Sequence, residues 1–102
     1  MSSLFKNLFG KSVDLKSIYA NGALILDVRT PEEFRAGHIQ GALNIPLDSL
    51  ITNIDTLQKK GKAVITCCKS GARSNSAAGL LYKAGVEVYD GGGWSSLERS
   101  IR

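Results

Sequence analysis

Cys67 and Cys68 are the only cysteines of the 102-residue chain, and they open the segment Cys-Cys-Lys-Ser-Gly-Ala-Arg-Ser, residues 67–74. Arg73 stands in a Cys-x4-Arg spacing from Cys68 and a Cys-x5-Arg spacing from Cys67. The shorter spacing suits capture of sulfur on a thiolate. The longer suits a tetrahedral oxyanion gripped by the arginine fork, as in phosphate ester hydrolysis. Gly71 permits a tight turn in the segment Lys-Ser-Gly-Ala-Arg, so successive backbone N–H groups can point inward as an anion nest. The positive end of a following helix adds to the same field. A thiol held there is favoured as thiolate, at a pKa well below the free value of about 8.5. Lys69 and Arg73 supply positive charge at the rim, suited to a dianionic donor. Ser74 starts the helix, with its hydroxyl in reach of the loop.

Such a loop needs a strand behind it and a helix ahead of it, and the chain supplies both. Ala63–Cys68 is a continuous apolar run ending at the cysteines, and Ala77, Leu80, Leu81 and Ala84 recur at helical spacing before Gly85. Alternation along the strand sends Cys67 back with Ile65 toward a covered face and leaves Cys68 at the exit. Cys68 is therefore the expected nucleophile, and Cys67 a packing residue or a second thiol.

The rest of the chain repeats this alternation of strands and helices. Ala23–Val28 reads as a buried strand behind the turn signal Asn21-Gly22. Thr30, Pro31 and Glu33 begin a helix with a cap, a first-position proline and a capping box, and Gly37 ends it. Ala42–Ile45 is a short strand stopped by Pro46. Leu47, Leu50, Ile51, Ile54 and Leu57 mark a helix closed by Gly61. Val86–Tyr89 alternates as a strand, Gly91–Gly93 form a turn of positive φ, and a last helix runs through Leu97 and Ile101. Strands separated by helices and short connections imply right-handed crossovers and a parallel sheet, whose ligands sit at the carboxyl ends of the strands. Cys68 stands at that end.

Composition sets wider bounds. A chain that is 43% apolar can bury a core without disulfides or a structural metal. Adjacent cysteines close almost no loop and do not have the spacing of zinc ligands, so reduced thiols, and no metal or cofactor, are expected. The net charge of +4 is scattered, with no basic run or aromatic interleaving, which argues against nucleic acid. No segment approaches the length of a membrane span, and the apolar residues near the start are broken by Lys6 and Asn7. Residues 1–12 are read as a segment packing on the domain formed by residues 13–102, in a cytoplasmic monomer.

Three elements occurring in order, "LILDVRTPEEFRAGHIQGALNIPL", "VITCCKSGARS" and "VYDGGGW", span Leu24 to Trp94 and resemble the single-domain rhodaneses, the thiosulfate sulfurtransferase family. The resemblance implies an α/β fold with a central parallel sheet of about five strands flanked by helices on both faces. It implies a Cys68 persulfide, formed from thiosulfate or a similar small anionic donor and discharged to cyanide, a thiol or a protein acceptor. The active loop would be Lys69, Ser70, Gly71, Ala72, Arg73 and Ser74 around Cys68. Many relatives carry a tryptophan where this chain has Leu97, which leaves the packing beside Trp94 open.

Two alternatives use the same fold. A phosphatase or arsenate reductase would take Cys67 as nucleophile, but no general acid accompanies the loop. A non-catalytic binding module would not need Cys68, whereas a persulfide carrier would. His38 is expected to fix a loop by a hydrogen bond, and Asp27 and Arg29 to form a structural pair or a helix-capping contact.

Overall fold

The computed structural model of the protein describes residues 14–102, so the expected packing of residues 1–12 falls outside the described part. The elements in chain order are α1 (Leu15–Ala20), β1 (Leu24–Asp27), α2 (Pro31–Ala36), β2 (Leu43–Asn44), two 3-10 turns (Leu47–Ser49 and Ile51–Asn53), α3 (Ile54–Lys60), β3 (Val64–Cys68), α4 (Ala72–Lys83), β4 (Val88–Gly93) and α5 (Trp94–Ile101). The strands form one parallel sheet in the order β2-β1-β3-β4. Four strands are therefore present among the described residues, where the family resemblance implied about five. Each of the four apolar runs is used, and the segment just ahead of β1 is helical instead. Helix α1 was not anticipated. Asp14 caps it by accepting from the Ser17 amide at 3.1 Å and the Ser17 hydroxyl at 2.7 Å, and Leu15 and Ile18 pack inward one turn apart.

Alternation along the strands divides the core into two layers. Leu26, Val28, Val64, Cys68 and Val88 meet Leu50, Leu57, Ala77, Ala78 and Leu81 on the side of α3 and α4. Ile25, Ile65, Cys67 and Tyr89 meet Leu97 and the flanking Leu15, Ile18 and Ile101 on the side of α1 and α5. The two cysteines thus fall on opposite faces. Leu97 fills the core beside these residues, and only 1% of it is exposed.

Two further expectations change in detail. The helix expected from Leu47 starts as 3-10 turns and becomes α-helical only at Ile54. The side chains of Thr52 and Asn53 both donate to the Ser49 carbonyl, at 3.0 and 2.8 Å, and so compete for an acceptor that a regular helix would use. Gly91–Gly93 are strand rather than turn, and β4 begins two residues later than patterning placed it. Two steps along β3, from Thr66 to Cys68, match three along β4, from Asp90 to Gly93, which is a bulge in β4. Gly92 supplies the positive φ of 74°. Its neighbours are glycine for lack of room, since a Cβ on Gly91 would lie 2.7 Å from the Thr66 carbonyl oxygen and one on Gly93 2.9 Å from that of Lys69. No helix among the described residues is long and apolar enough to cross a membrane.

Candidate active site

Strand β3 delivers Cys68 to the carboxyl edge of the sheet as its last residue, and Lys69, Ser70 and Gly71 carry the chain to α4. Gly71 stands at φ 114°, a conformation that a side chain would oppose, and this turn folds the backbone back over the sulfur. The Gly71 amide donates to Cys68 Sγ at 3.0 Å and the Ser74 amide at 3.3 Å. Only 1% of Cys68 is exposed, and it borders the apolar layer of α3 and α4. Its sulfur nonetheless faces N–H groups of the loop. Burial pushes the thiol up, but hydrogen bonds from Ser74 and from the amides of Gly71 and Ser70 outweigh it, so its pKa lies below the ordinary value. Cys67 contrasts in each respect. It is fully buried on the other face, and burial, together with the Asp27 carboxylate, pushes its thiol up to about 12.

The loop is braced from two directions that the sequence did not reveal. Asp90, just ahead of the β4 bulge, accepts from the Ser74 hydroxyl at 2.7 Å, the Gly92 amide at 2.9 Å and the Asn75 side chain at 3.2 Å. The Ser74 hydroxyl also reaches the Gly71 carbonyl at 3.0 Å, and Thr66 donates to the Ser74 carbonyl at 3.0 Å. Position 74 is thereby fixed at amide, hydroxyl and carbonyl. The one hint in sequence was an aspartate before a glycine run, where carboxylates commonly accept from backbone two residues on.

The second brace is Glu33. It completes the capping box with Thr30, as expected, and its carboxylate also receives Arg73 fork to fork, at 2.8 and 3.1 Å. That pairing holds the Glu33 carboxyl, with help from Thr30, down to about 2. Arg73 lies in the first turn of α4 and so faces a carboxylate 40 residues earlier, a partnership that no local pattern announces. Lys69 and Ser70 are exposed at the rim, as is Ala72. An open cleft of about 370 Å³, lined by Val28, Thr30, Pro46, Leu47, Asp48 and Arg73, runs beside the loop. Two other clefts open around Gly61, Lys62 and Glu87, at the amino-terminal edge of the sheet.

Asp27 and Arg29 form the structural pair expected of them. Arg29 Nη2 lies 2.7 Å from Asp27 Oδ2, and Nε bonds both carboxylate oxygens. The same guanidinium donates to the carbonyls of Gly37 and Glu33 and lies 4.8 Å from the Trp94 ring centroid. The pair therefore ties the exit of β1 to carbonyls in the middle and at the C-terminal end of α2 and to α5. His38 places Nδ1 2.6 Å from the Phe34 carbonyl and stacks on the Phe34 ring. No group of three or more His, Cys, Asp or Glu among the described residues is placed to hold a metal ion.

The family model for the rhodanese-like domain matches residues 12–98. The uncharacterized protein YqhL of Bacillus subtilis is 42% identical over 67% of this chain, which spans 54% of that relative's length. Thiosulfate sulfurtransferase GlpE of Pseudomonas aeruginosa is 28% identical over 99% of this chain and 90% of its own. Thiosulfate sulfurtransferase PspE of Escherichia coli is 37% identical over 71% of each. The crystal structure of a rhodanese-related protein from Thermoplasma volcanium superposes with a TM-score of 0.73 at 30% identity, covering 91% of this chain and 96% of that one.

Proposed function

The chain belongs to the rhodanese-like domain family, and on that premise we propose that it is a sulfurtransferase carrying a sulfane sulfur on Cys68. The observation behind this reading is the sulfur of Cys68 held by the amides of Gly71 and Ser74 at a strand exit. Thiosulfate, the donor in the names of GlpE and PspE, is a small dianion suited to a loop of inward N–H groups.

The Cys68 thiolate attacks the outer sulfur of thiosulfate. The new S–S bond forms as the bond to the sulfonate sulfur breaks, and the electron pair of that bond leaves with sulfite. The products are a cysteine persulfide anion and sulfite dianion, so charge balances with no proton transferred. A thiophilic acceptor (cyanide, a thiol or a protein cysteine) then takes the terminal sulfur and returns the thiolate. Sulfite departs without protonation, and the preformed thiolate needs no base. That fits a loop in which hydrogen bonds to sulfur, not acids or bases, are the prominent feature. Lys69, Ser70, Ala72, Arg73 and Ser74 complete the loop around Gly71, with Ser74 as its anchor.

A nucleophile at Cys67, which the phosphatase or arsenate reductase reading requires, has no support in its burial and raised pKa. Turnover of thiosulfate with cyanide tests the assignment. Cys68→Ser should abolish it, and Cys67→Ser should leave most of it. The reverse pattern would overturn the reading.

A further inference from the structure

Arg73 is the cation of the loop placed to grip an oxyanion, yet its guanidinium is engaged. Nη1 and Nη2 donate to Oε1 and Oε2 of Glu33, at 2.8 and 3.1 Å. A fork-to-fork pair of this kind is specific in geometry and occupies the edge that would otherwise meet two oxygens of one anion. It also cancels the guanidinium charge at the rim. Glu33 itself is held from behind. The Thr30 amide and hydroxyl donate to Oε1 at 3.0 and 3.2 Å, and the Glu33 amide donates back to Thr30 at 3.2 Å. The carboxylate is therefore fixed on α2, and Arg73 comes to it. About a third of each side chain is exposed, and Arg73 lines the open cleft beside the loop, so an incoming anion can reach the pair.

We propose that Glu33 is a specificity-determining residue of the loop: by holding Arg73 it keeps the loop from clamping tetrahedral oxyanions. This deepens the sulfurtransferase reading and rests on it. Thiosulfate offers its outer sulfur to Cys68 and needs no arginine clamp on a central atom. Inorganic phosphate, by contrast, would occupy the loop unproductively wherever amides and a free guanidinium converge on it. Glu33 disfavours that occupancy by engaging the fork and by neutralising the guanidinium charge that would otherwise attract it. The pair thus leaves the amides as the main anion-binding groups.

Glu33→Gln separates this role from the structural one, because glutamine still completes a capping box while losing the charge that holds Arg73. Inorganic phosphate is titrated into the wild type, Glu33→Gln and Glu33→Gln/Arg73→Gln, and binding is read from the amide resonances of Gly71 and Ser74. Glu33→Gln should bind phosphate about 3- to 10-fold more tightly than the wild type, the gain expected when a cation is released at a partly exposed site. The double variant should lose that gain. Added salt should shrink it. Unchanged phosphate affinity in Glu33→Gln, or tight binding that persists without Arg73, would overturn the proposal. The same spectra report whether each variant is folded. Since the titration involves no turnover, a protein that binds phosphate as stated but transfers no sulfur would refute the sulfurtransferase reading alone.

Discussion

Arg29→Met should remove a large share of the stability of the fold, and its size can be worked from the contacts. The carboxylate of Asp27 is fully buried, and the Arg29 side chain is only 5% exposed. Asp27 receives three hydrogen bonds from that side chain, at 2.9, 3.1 and 2.7 Å, and one from the Arg29 amide at 3.1 Å. Methionine removes the first three and leaves the amide. It also removes the donors to the Gly37 and Glu33 carbonyls. Breaking a buried pair in this way costs about 3–5 kcal/mol, because the remaining charge keeps its desolvation penalty. A domain of this size has a total stability of roughly 5–15 kcal/mol. The loss should lower Tm by roughly 12–40 °C, at ~4–8 °C per kcal/mol. Urea unfolding followed by circular dichroism measures it. Asp27→Leu/Arg29→Met should recover at least ~2 kcal/mol over the single variant, since no orphaned carboxylate remains. A single-variant cost below ~1 kcal/mol, or a double variant no better than the single, would refute the reasoning.

Three further outcomes follow from the same contacts. Gly91→Ala should destabilise the protein by about 1–3 kcal/mol in urea, since its Cβ would meet the Thr66 carbonyl at 2.7 Å and Leu97 at 2.9 Å; an unchanged midpoint would mean that the β4 bulge has room to spare. Alkylation of Cys68 by iodoacetamide should reach half its maximal rate at a lower pH than that of an ordinary thiol, and native Cys67, pushed up to about 12, should stay unlabelled across the same range. Glu33 should titrate at about 2 by carboxyl-carbon NMR and move up in Arg73→Gln. Because its folded value lies below its unfolded one, the pair's contribution is complete above the ordinary carboxylate range and fades as pH falls toward 2. A wild-type Glu33 titrating at an ordinary value would contradict the fork-to-fork contact.

The parts of the fold that read directly from sequence are those set by neighbours in the chain. The capping box of Thr30 and Glu33 and the opposite facing of Cys67 and Cys68 need only local pattern and strand alternation, and both are present. The glycine run of β4 misled because three adjacent glycines have two different causes. Gly92 answers a positive φ, whereas Gly91 and Gly93 answer close approach of the β3 and loop carbonyls. Composition alone reads all three as a turn. The braces of the site were illegible for a different reason. Glu33 meets Arg73 across 40 residues and Asp90 meets Ser74 across 16. Glu33 already has a sufficient local explanation in the capping box, and no local pattern pairs Asp90 with Ser74. Only the sheet order β2-β1-β3-β4, which sets β3 between β1 and β4, brings those partners to one loop.

The central claim is that residue 68 stores the transferred sulfur, and intact-mass spectrometry of protein treated with thiosulfate and freed of excess reagent addresses it most directly. The wild type and Cys67→Ser should each gain the mass of a single sulfur atom, discharged on adding cyanide, and Cys68→Ser should gain none. Retention of the adduct in Cys68→Ser, or its absence from the wild type, would contradict the account.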